Sequence, residues 1–162
     1  MSGPVRAAAL AAAVWECDRH RAALGEALTD WHALPTITAD ALDRDSTLRR
    51  LTDQILYRFS KLQDAMGERL VPATLGRLQE PHEAWPMRDR LDRLEKLGYL
   101  DAENWLAWCD VRNRLAHEYP DAAALRHTTV LAAVQASSQL VHAWLHWKSR
   151  LTQVGAWTQS SA

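Results

Sequence analysis

Apolar residues along this chain recur every three or four positions, which is the spacing of one face of an α-helix. Near the N-terminus this spacing predicts a helix from Pro4 to about His32, because proline suits the first turn of a helix. Strand-forming runs of Val, Ile and Thr are almost absent, so the pattern predicts an all-α protein. The predicted inward face of the first helix consists of Leu10, Val14, Cys17, Leu24, Leu28 and Trp31.

A second helix is predicted after a connection over residues 34–45. Asp45 or Ser46 is its expected N-cap, since short polar side chains accept hydrogen bonds from the first free N–H groups of a helix. Gly67 should weaken this helix and Pro72 should interrupt it, because proline lacks a backbone donor. A short helix and a loop are expected to follow.

Two further helices are predicted in the next part of the chain. The first begins at Pro86 and ends at Gly98. The second follows Asp101 as N-cap and ends at about His117, because the residue before Pro120 avoids the α-helical region.

The last predicted helix is long, from an N-cap at Asp121 to about Leu151. Its apolar stripe is wider than one bundle contact needs, so a second copy of the chain is expected to pack there. We therefore predict a homodimer of a four- to five-helix up-and-down bundle over residues 1–152, with a flexible tail over residues 153–162. The predicted stripe consists of Leu131, Val134, Ser138, Val141 and Leu145, with Val130, Leu140, Trp144, Trp147 and Leu151 beside it.

Composition narrows the classes of function. Apolar residues make up 48% of the chain and charged residues 24%, which fits one soluble domain. The net charge of −1 gives no overall attraction to nucleic acid, so such a role needs a local basic patch. The longest apolar run, residues 7–15, is too short to span a bilayer, so we expect no membrane contact and a cytoplasmic location.

No metal or cofactor site is predicted. Cys17 and Cys109 form no CxxC pair and are expected to be small core residues. His142 and His146 have the i, i+4 spacing that can grip a metal, but no third ligand is evident. The eight tryptophans could stack on bases, although use in the core or at an interface is the better interpretation.

The polar stretch RNRLAHEYPD, residues 112–121, ends the fourth predicted long helix. Arg112 interrupts an apolar face there. It either pairs with a carboxylate, such as Asp53 or Asp64, or binds a phosphate through bidentate hydrogen bonds. His117 either caps the last carbonyls of the helix or moves a proton near pH 7.

These side chains do not all share one side of the helix. Five residues turn an ideal helix by about 140°, which separates Arg112 from His117, whereas Asn113 and Arg114 lie on the side of His117. A common ligand would require the helix end to unwind, or two copies of the motif to meet across a dimer. Tyr119 should leave the helix with a reachable hydroxyl, and taken alone it is a packing tyrosine.

Residues 112–119, RNRLAHEY, fit the pattern Arg-x4-His-x-Tyr. This run resembles the motif of HEPN-domain proteins. Its Arg-Asn opening and Ala-His-Glu-Tyr end are similar to the HepT-like branch, whose toxins are paired with a minimal nucleotidyltransferase antitoxin. The resemblance extends to LYRFSKLQDAMG in the second long helix and to RLEKLGYLDAENWLAWCDV before the motif.

The resemblance implies a HEPN-like fold and a metal-independent endoribonuclease toxin that acts on RNA as a homodimer. Arg112 and His117 would be its catalytic pair. Asn113 would help to hold the loop, and Arg114 and Glu118 would support RNA binding.

The resemblance also implies that the cognate nucleotidyltransferase antitoxin attaches AMP to Tyr119. Because the chain is acidic overall, the RNA cleft must be a local feature, to which Arg58 or Lys61 could contribute. The alternative is a non-catalytic HEPN module that binds a nucleotide or the nucleotidyltransferase. A purely structural dimeric bundle would leave Arg112 unexplained.

Overall fold

Seven α-helices and one π-helical turn make up most of the computed structural model, which describes residues 1–159. The π-helical turn, Ala65–Leu70, joins α3 to α4. No β-strand occurs within this described part of the chain, so the predicted all-α class is confirmed. The helices are α1 (Gly3–His32), α2 (Ala39–Arg44), α3 (Ser46–Asp64), α4 (Val71–Arg77), α5 (Met87–Lys96), α6 (Ala102–Leu115) and α7 (Ala123–Gln153).

The long helices α1, α3, α6 and α7 form an up-and-down bundle. On α1, His20 contacts Arg58 of α3, while Glu16, one turn earlier, contacts Arg69 in the π-helical turn. These two helices are therefore antiparallel.

Helix α7 runs antiparallel to both α1 and α6. Its Trp144 bonds to Asp18 of α1, while Ser138, nearer its start, lies beside Leu28 of α1. Its Gln139 bonds to Trp108 of α6, while His146 bonds to Gly98, just before α6. The short helices pack against the long ones, which confirms the predicted bundle with its long C-terminal helix.

Tryptophans of α7 fill the centre of the bundle. Trp144 and Trp147 are fully buried. Their indole nitrogens donate hydrogen bonds to Asp18 Oδ1 at 3.0 Å and Thr74 Oγ1 at 3.1 Å. The Trp147 ring also packs against Tyr99, with centroids 5.6 Å apart. A buried indole N–H needs such a partner, so these bonds fix α1 and α4 to α7.

We expect Trp147→Ala to lower the free energy of unfolding by about 3–5 kcal/mol, the usual loss for a buried aromatic side chain. Trp15→Ala is the matched control, because the Trp15 side chain is 64% exposed. Its loss should change the free energy by less than about 0.5 kcal/mol. Urea unfolding followed by circular dichroism measures both variants. Equal losses of unfolding free energy in the two variants would contradict the placement of Trp147 in the core.

One prediction about α7 is wrong. Asp121 does not cap the helix: the Ala122 carbonyl accepts the first helical hydrogen bond, from the Arg126 N–H at 3.0 Å, so Ala122 is the N-cap and Asp121 lies within the preceding turn. The predicted wide stripe contains both buried and exposed positions: Leu140 and Trp144 are buried, whereas Leu131 and Leu145, where a second copy is expected, are exposed. Helix α7 packs on four other helices at once, and these neighbours set its buried face. That face includes Ala133, Val134, Ser137, Leu140, Trp144 and Trp147.

The chain also stays helical through Gly67 and Pro72, where an interruption was expected. Pro72 lies in the first turn of α4, a position that proline commonly takes. A Cβ added at Gly67 would come 3.1 Å from Trp105 Cζ2. Glycine therefore allows the π-helical turn to approach α6 closely.

Part of the predicted tail contacts the bundle. The Trp157 ring lies 5.0 Å from Lys148 Nζ on α7. The end of the predicted tail, residues 160–162, lies outside the described residues. None of the helices formed by residues 1–159 is both long and apolar enough to cross a membrane.

Candidate functional site

Helix α6, which carries the motif, is fixed at its N-terminus and along its buried face. Asp101 caps it as predicted, since its Oδ1 accepts a hydrogen bond from the Asn104 N–H at 2.8 Å. Trp105 and Trp108 are buried, and Trp108 Nε1 donates to Gln139 of α7 at 2.9 Å. The C-terminal end of α6 therefore has a defined position beside α3 and α7.

Arg112 forms a two-point ion pair with Asp64 at the end of α3. Its Nη2 donates to Oδ2 at 3.1 Å, and its Nη1 donates to Oδ1. The hydrogen bond to Asp64 is the main cause that raises the pKa of Arg112 above its ordinary value. The Arg112 side chain is still 38% exposed, and a guanidinium has five N–H donors, so donors remain for a ligand. The structure thus selects Asp64, and not Asp53, as the carboxylate partner.

A groove of about 430 Å³ lies between α6 and the junction of α3 with the π-helical turn. Arg112 and Asn113 line it from α6, and Asp64 and Glu68 line it from the other side. Arg112 is the one cationic side chain among the described residues that line the groove. A phosphate entering the groove would therefore have to bind at Arg112, with two carboxylates opposite.

Cys109 lies in this groove and was expected in the core. It is only half-buried, and its Sγ accepts a hydrogen bond from Gln63 Nε2 at 3.2 Å. The Oε1 atom of Gln63 is buried without a hydrogen-bond partner in the described residues. Burial raises the pKa of the Cys109 thiol. The thiol is therefore protonated near neutral pH and is a poor nucleophile.

His117 and Tyr119 lie beyond the end of α6. The helix ends at Leu115, earlier than predicted, and the exposed His117 donates its backbone N–H to the Arg114 carbonyl at 3.1 Å. Tyr119 has a φ of 47°, which is uncommon for an aromatic residue. This conformation turns the chain just before Pro120. The rings of His117 and Tyr119 lie 5.9 Å apart between centroids.

Arg126 of α7 fixes this turn. Its Nη1 donates to the carbonyls of Tyr119 at 2.6 Å and Pro120 at 3.1 Å, and its Nη2 donates to Asp43 Oδ2 at 2.9 Å. Nothing in the sequence marked Arg126 for this role, because bonds to backbone carbonyls leave no motif. The half-buried Tyr119 side chain makes no hydrogen bond of its own within residues 1–159, so its hydroxyl is open to a second molecule.

The predicted site residues therefore form two groups. Arg112 and Asn113 line the groove, whereas His117, Glu118 and Tyr119 lie past the helix end. The helix end does unwind, but no hydrogen bond within the described residues joins Arg112 to His117. The meeting of two motif copies across a dimer stays a prediction.

The other predicted basic residues point elsewhere. Arg114 Nε lies 3.4 Å from Asp110 Oδ2 on its own helix. Arg58 and Lys61, expected near the RNA cleft, lie 5.5 and 5.7 Å from the Tyr57 ring and do not line the groove. None of these three basic side chains therefore lines the groove.

No model of a protein family matches this chain, and no characterised protein or solved structure matches it either. The functional proposal therefore rests on the motif and on the geometry around it.

Proposed function

We propose that this chain is a metal-independent endoribonuclease of the HEPN type, a cytoplasmic toxin that a cognate nucleotidyltransferase restrains. The observation that carries the proposal is the placement of the Arg-x4-His-x-Tyr motif at the open end of α6. Arg112 lines a groove and keeps guanidinium N–H donors free for a ligand, and His117 lies exposed just past the helix end. Metal-free cleavage of a phosphodiester needs one group that stabilises phosphate charge and one that moves protons.

In the proposed reaction the RNA supplies its own nucleophile. The 2′-hydroxyl loses its proton as its oxygen attacks the adjacent phosphorus, and the bond to the 5′ oxygen breaks as that oxygen gains a proton. His117 takes up the first proton or supplies the second. Arg112 donates hydrogen bonds to the phosphate oxygens as their negative charge grows. The intramolecular attack contributes much of the rate through proximity.

A homodimer would complete this arrangement. Within one described chain, Arg112 and His117 belong to separate groups. We propose that two motif copies line one cleft, so that Arg112 of one copy serves the same phosphate as the partner copy's histidine. Two-fold symmetry is the default for such a contact.

Control is proposed to act through Tyr119. Its hydroxyl oxygen would attack the α-phosphorus of ATP in the nucleotidyltransferase, lose its proton and release pyrophosphate. The turn at Tyr119 takes the side chain out of the helix, and its ring lies next to His117. An attached AMP would therefore add negative charge and bulk where the RNA must bind.

The Arg112–Asp64 pair favours a second candidate function, a non-catalytic module that binds a nucleotide or the nucleotidyltransferase. A guanidinium that a carboxylate already holds at two points is a common structural arrangement. In that case Arg112 only stabilises the contact between α3 and α6, and His117 does no chemistry.

Growth and RNA integrity separate the two candidates. The wild-type chain, expressed alone, should stop growth and fragment cellular RNA. His117→Ala should restore both, and so should co-expression of the wild type with the cognate nucleotidyltransferase. Intact RNA in cells where the chain still binds that nucleotidyltransferase would support the non-catalytic module.

A further inference from the structure

A basic and aromatic surface covers one side of α1 and α3, outside the groove. Two of its aromatic side chains are widely exposed, Trp15 at 64% and Tyr57 at 55%. A cation lies over one face of each ring: Arg19 Cζ is 5.7 Å from the Trp15 centroid, and Arg58 Cζ is 5.5 Å from that of Tyr57. The α1–α3 surface, as we call it, consists of Trp15, Arg19, His20, Tyr57, Arg58 and Lys61.

A hydrogen bond joins the two halves of the α1–α3 surface. Arg58 Nη1 donates to His20 Nδ1 at 3.0 Å. Burial, followed by the charge of Arg58, lowers the pKa of His20. The imidazole is therefore neutral near pH 7, and its Nδ1 can accept a hydrogen bond. His20 thus holds the Arg58 guanidinium beside Tyr57 without removing its charge.

The positive charge of this surface is largely uncompensated. Its arginine and lysine side chains form no ion pair with a carboxylate in the described residues. Glu16, the acidic neighbour on α1, is bound by Arg69 at 3.0 Å. Asp53, one turn before Tyr57, is the exposed acid on α3. The chain has a net charge of −1, so this surface is a local basic patch on an acidic protein.

The α1–α3 surface continues along α3 to the groove. Lys61 precedes Asp64 by three residues, so both lie on one side of α3, about 4.5 Å apart along its axis. Asp64 in turn holds Arg112. A strand that lies over Tyr57 and Lys61 would therefore reach Arg112 without leaving the protein surface.

We infer that the α1–α3 surface binds single-stranded RNA and holds the substrate beside the groove, an inference that rests on the proposed function. Unpaired bases stack on Trp15 and Tyr57, while Arg19, Arg58 and Lys61 bind the phosphates. Stacking requires an exposed base face, which a duplex does not offer, so single strands are preferred. A second copy of the chain fits this surface less well than RNA, because a two-fold contact would bring identical cations together.

RNA binding in the His117→Ala chain tests this inference, because that substitution is expected to slow cleavage enough for binding to be measured. The probe is a fluorescently labelled single-stranded RNA of mixed sequence, followed by anisotropy. Trp15→Ala and Tyr57→Ala should each weaken binding ~10-fold, the usual scale for one lost stacking platform. Lys61→Ala should lower the slope of log affinity against log salt by about one. The same RNA in a duplex should bind more weakly than the single strand.

Matched variants make the result specific. Tyr57→Phe keeps the ring and should bind RNA like the parent chain. Leu106→Ala removes an apolar side chain that is 42% exposed on α6, and Lys96→Ala removes an exposed cation on α5; both should leave binding unchanged. Equal affinity in Trp15→Ala, Tyr57→Ala and the controls would overturn the inference.

The outcomes also separate this inference from the proposed function. If the alanine variants bind RNA like the parent chain and the wild type cleaves RNA, only the role of the α1–α3 surface in RNA binding is excluded. If those variants lose RNA binding and the wild type does not cleave RNA, only the proposed ribonuclease activity is excluded. Light scattering that shows Trp15→Ala converting a dimer to a monomer would assign the surface to a contact between copies and overturn the inference.

Discussion

Alanine at either Arg112 or His117 is expected to slow RNA cleavage by about 10²-fold or more, the usual scale for a lost charge-stabilising or proton-transferring group. Arg112→Ala removes the one cationic side chain of the described groove lining, and the Asp64 carboxylate would then repel the phosphate. His117→Ala removes the exposed ring at the helix end. Single-turnover cleavage of a labelled RNA by the purified variants measures both effects.

Arg114→Ala is the matched control for these variants. Arg114 lies at the same helix end, but its guanidinium is directed to Asp110. Its removal should cost less than about 10-fold. Arg112→Lys should fall between the wild type and Arg112→Ala, since lysine keeps the charge but loses the fork of donors. Cleavage at the wild-type rate in both alanine variants would exclude the proposed catalytic pair.

The fold should survive these changes. The Arg112–Asp64 pair is about one third exposed on each side, so solvent screens it. Its loss is expected to lower the free energy of unfolding by about 1 kcal/mol at most. Thermal unfolding of each variant checks this, and a large loss of stability would assign Arg112 a structural role.

Tyr119→Phe should abolish AMP attachment while RNA cleavage continues at the wild-type rate. The variant keeps the ring next to His117 and removes only the hydroxyl oxygen that accepts the AMP. Its toxicity should therefore persist when the nucleotidyltransferase is co-expressed. Mass spectrometry of the peptide spanning residues 115–126, after incubation with the nucleotidyltransferase and ATP, reads the modification directly.

Tyr57→Phe is the control for this experiment, because Tyr57 is an exposed tyrosine outside the motif. Its peptide over residues 115–126 should carry the AMP mass increment as in the wild type. A wild-type peptide that remains unmodified would remove AMP attachment from the proposal and leave neutralisation by binding alone.

Much of the fold follows from local signals in the sequence. The stripe of α1, the Asp101 cap and the stop at Gly98 are all visible as spacing and residue type, because each depends on contacts within one turn. How the wide stripe of α7 divides into buried and exposed positions does not follow, since several helices pack on it at once and their positions decide which side is buried. The helical continuity through Gly67 likewise depends on Trp105, which is distant in sequence.

The candidate site, too, follows only partly from the sequence. Arg112, His117 and Tyr119 are identified by the motif, but their separation is set by the turn that Arg126 holds from another helix. The role of Asp64 was one of two possibilities, and only the packing of α3 on α6 decides between them. The α1–α3 surface has no motif at all, because it arises where exposed side chains of two helices meet.

The chemical ends of the RNA products test the central proposal most directly. Purified wild-type chain is incubated with RNA in EDTA, and the termini of the fragments are identified by mass spectrometry. We predict fragments with 2′,3′-cyclic phosphates and 5′-hydroxyls, formed at the same rate with or without EDTA, since the 2′-hydroxyl is the nucleophile. Fragments with 3′-hydroxyls and 5′-phosphates, or cleavage that requires an added divalent metal, would contradict the proposed mechanism.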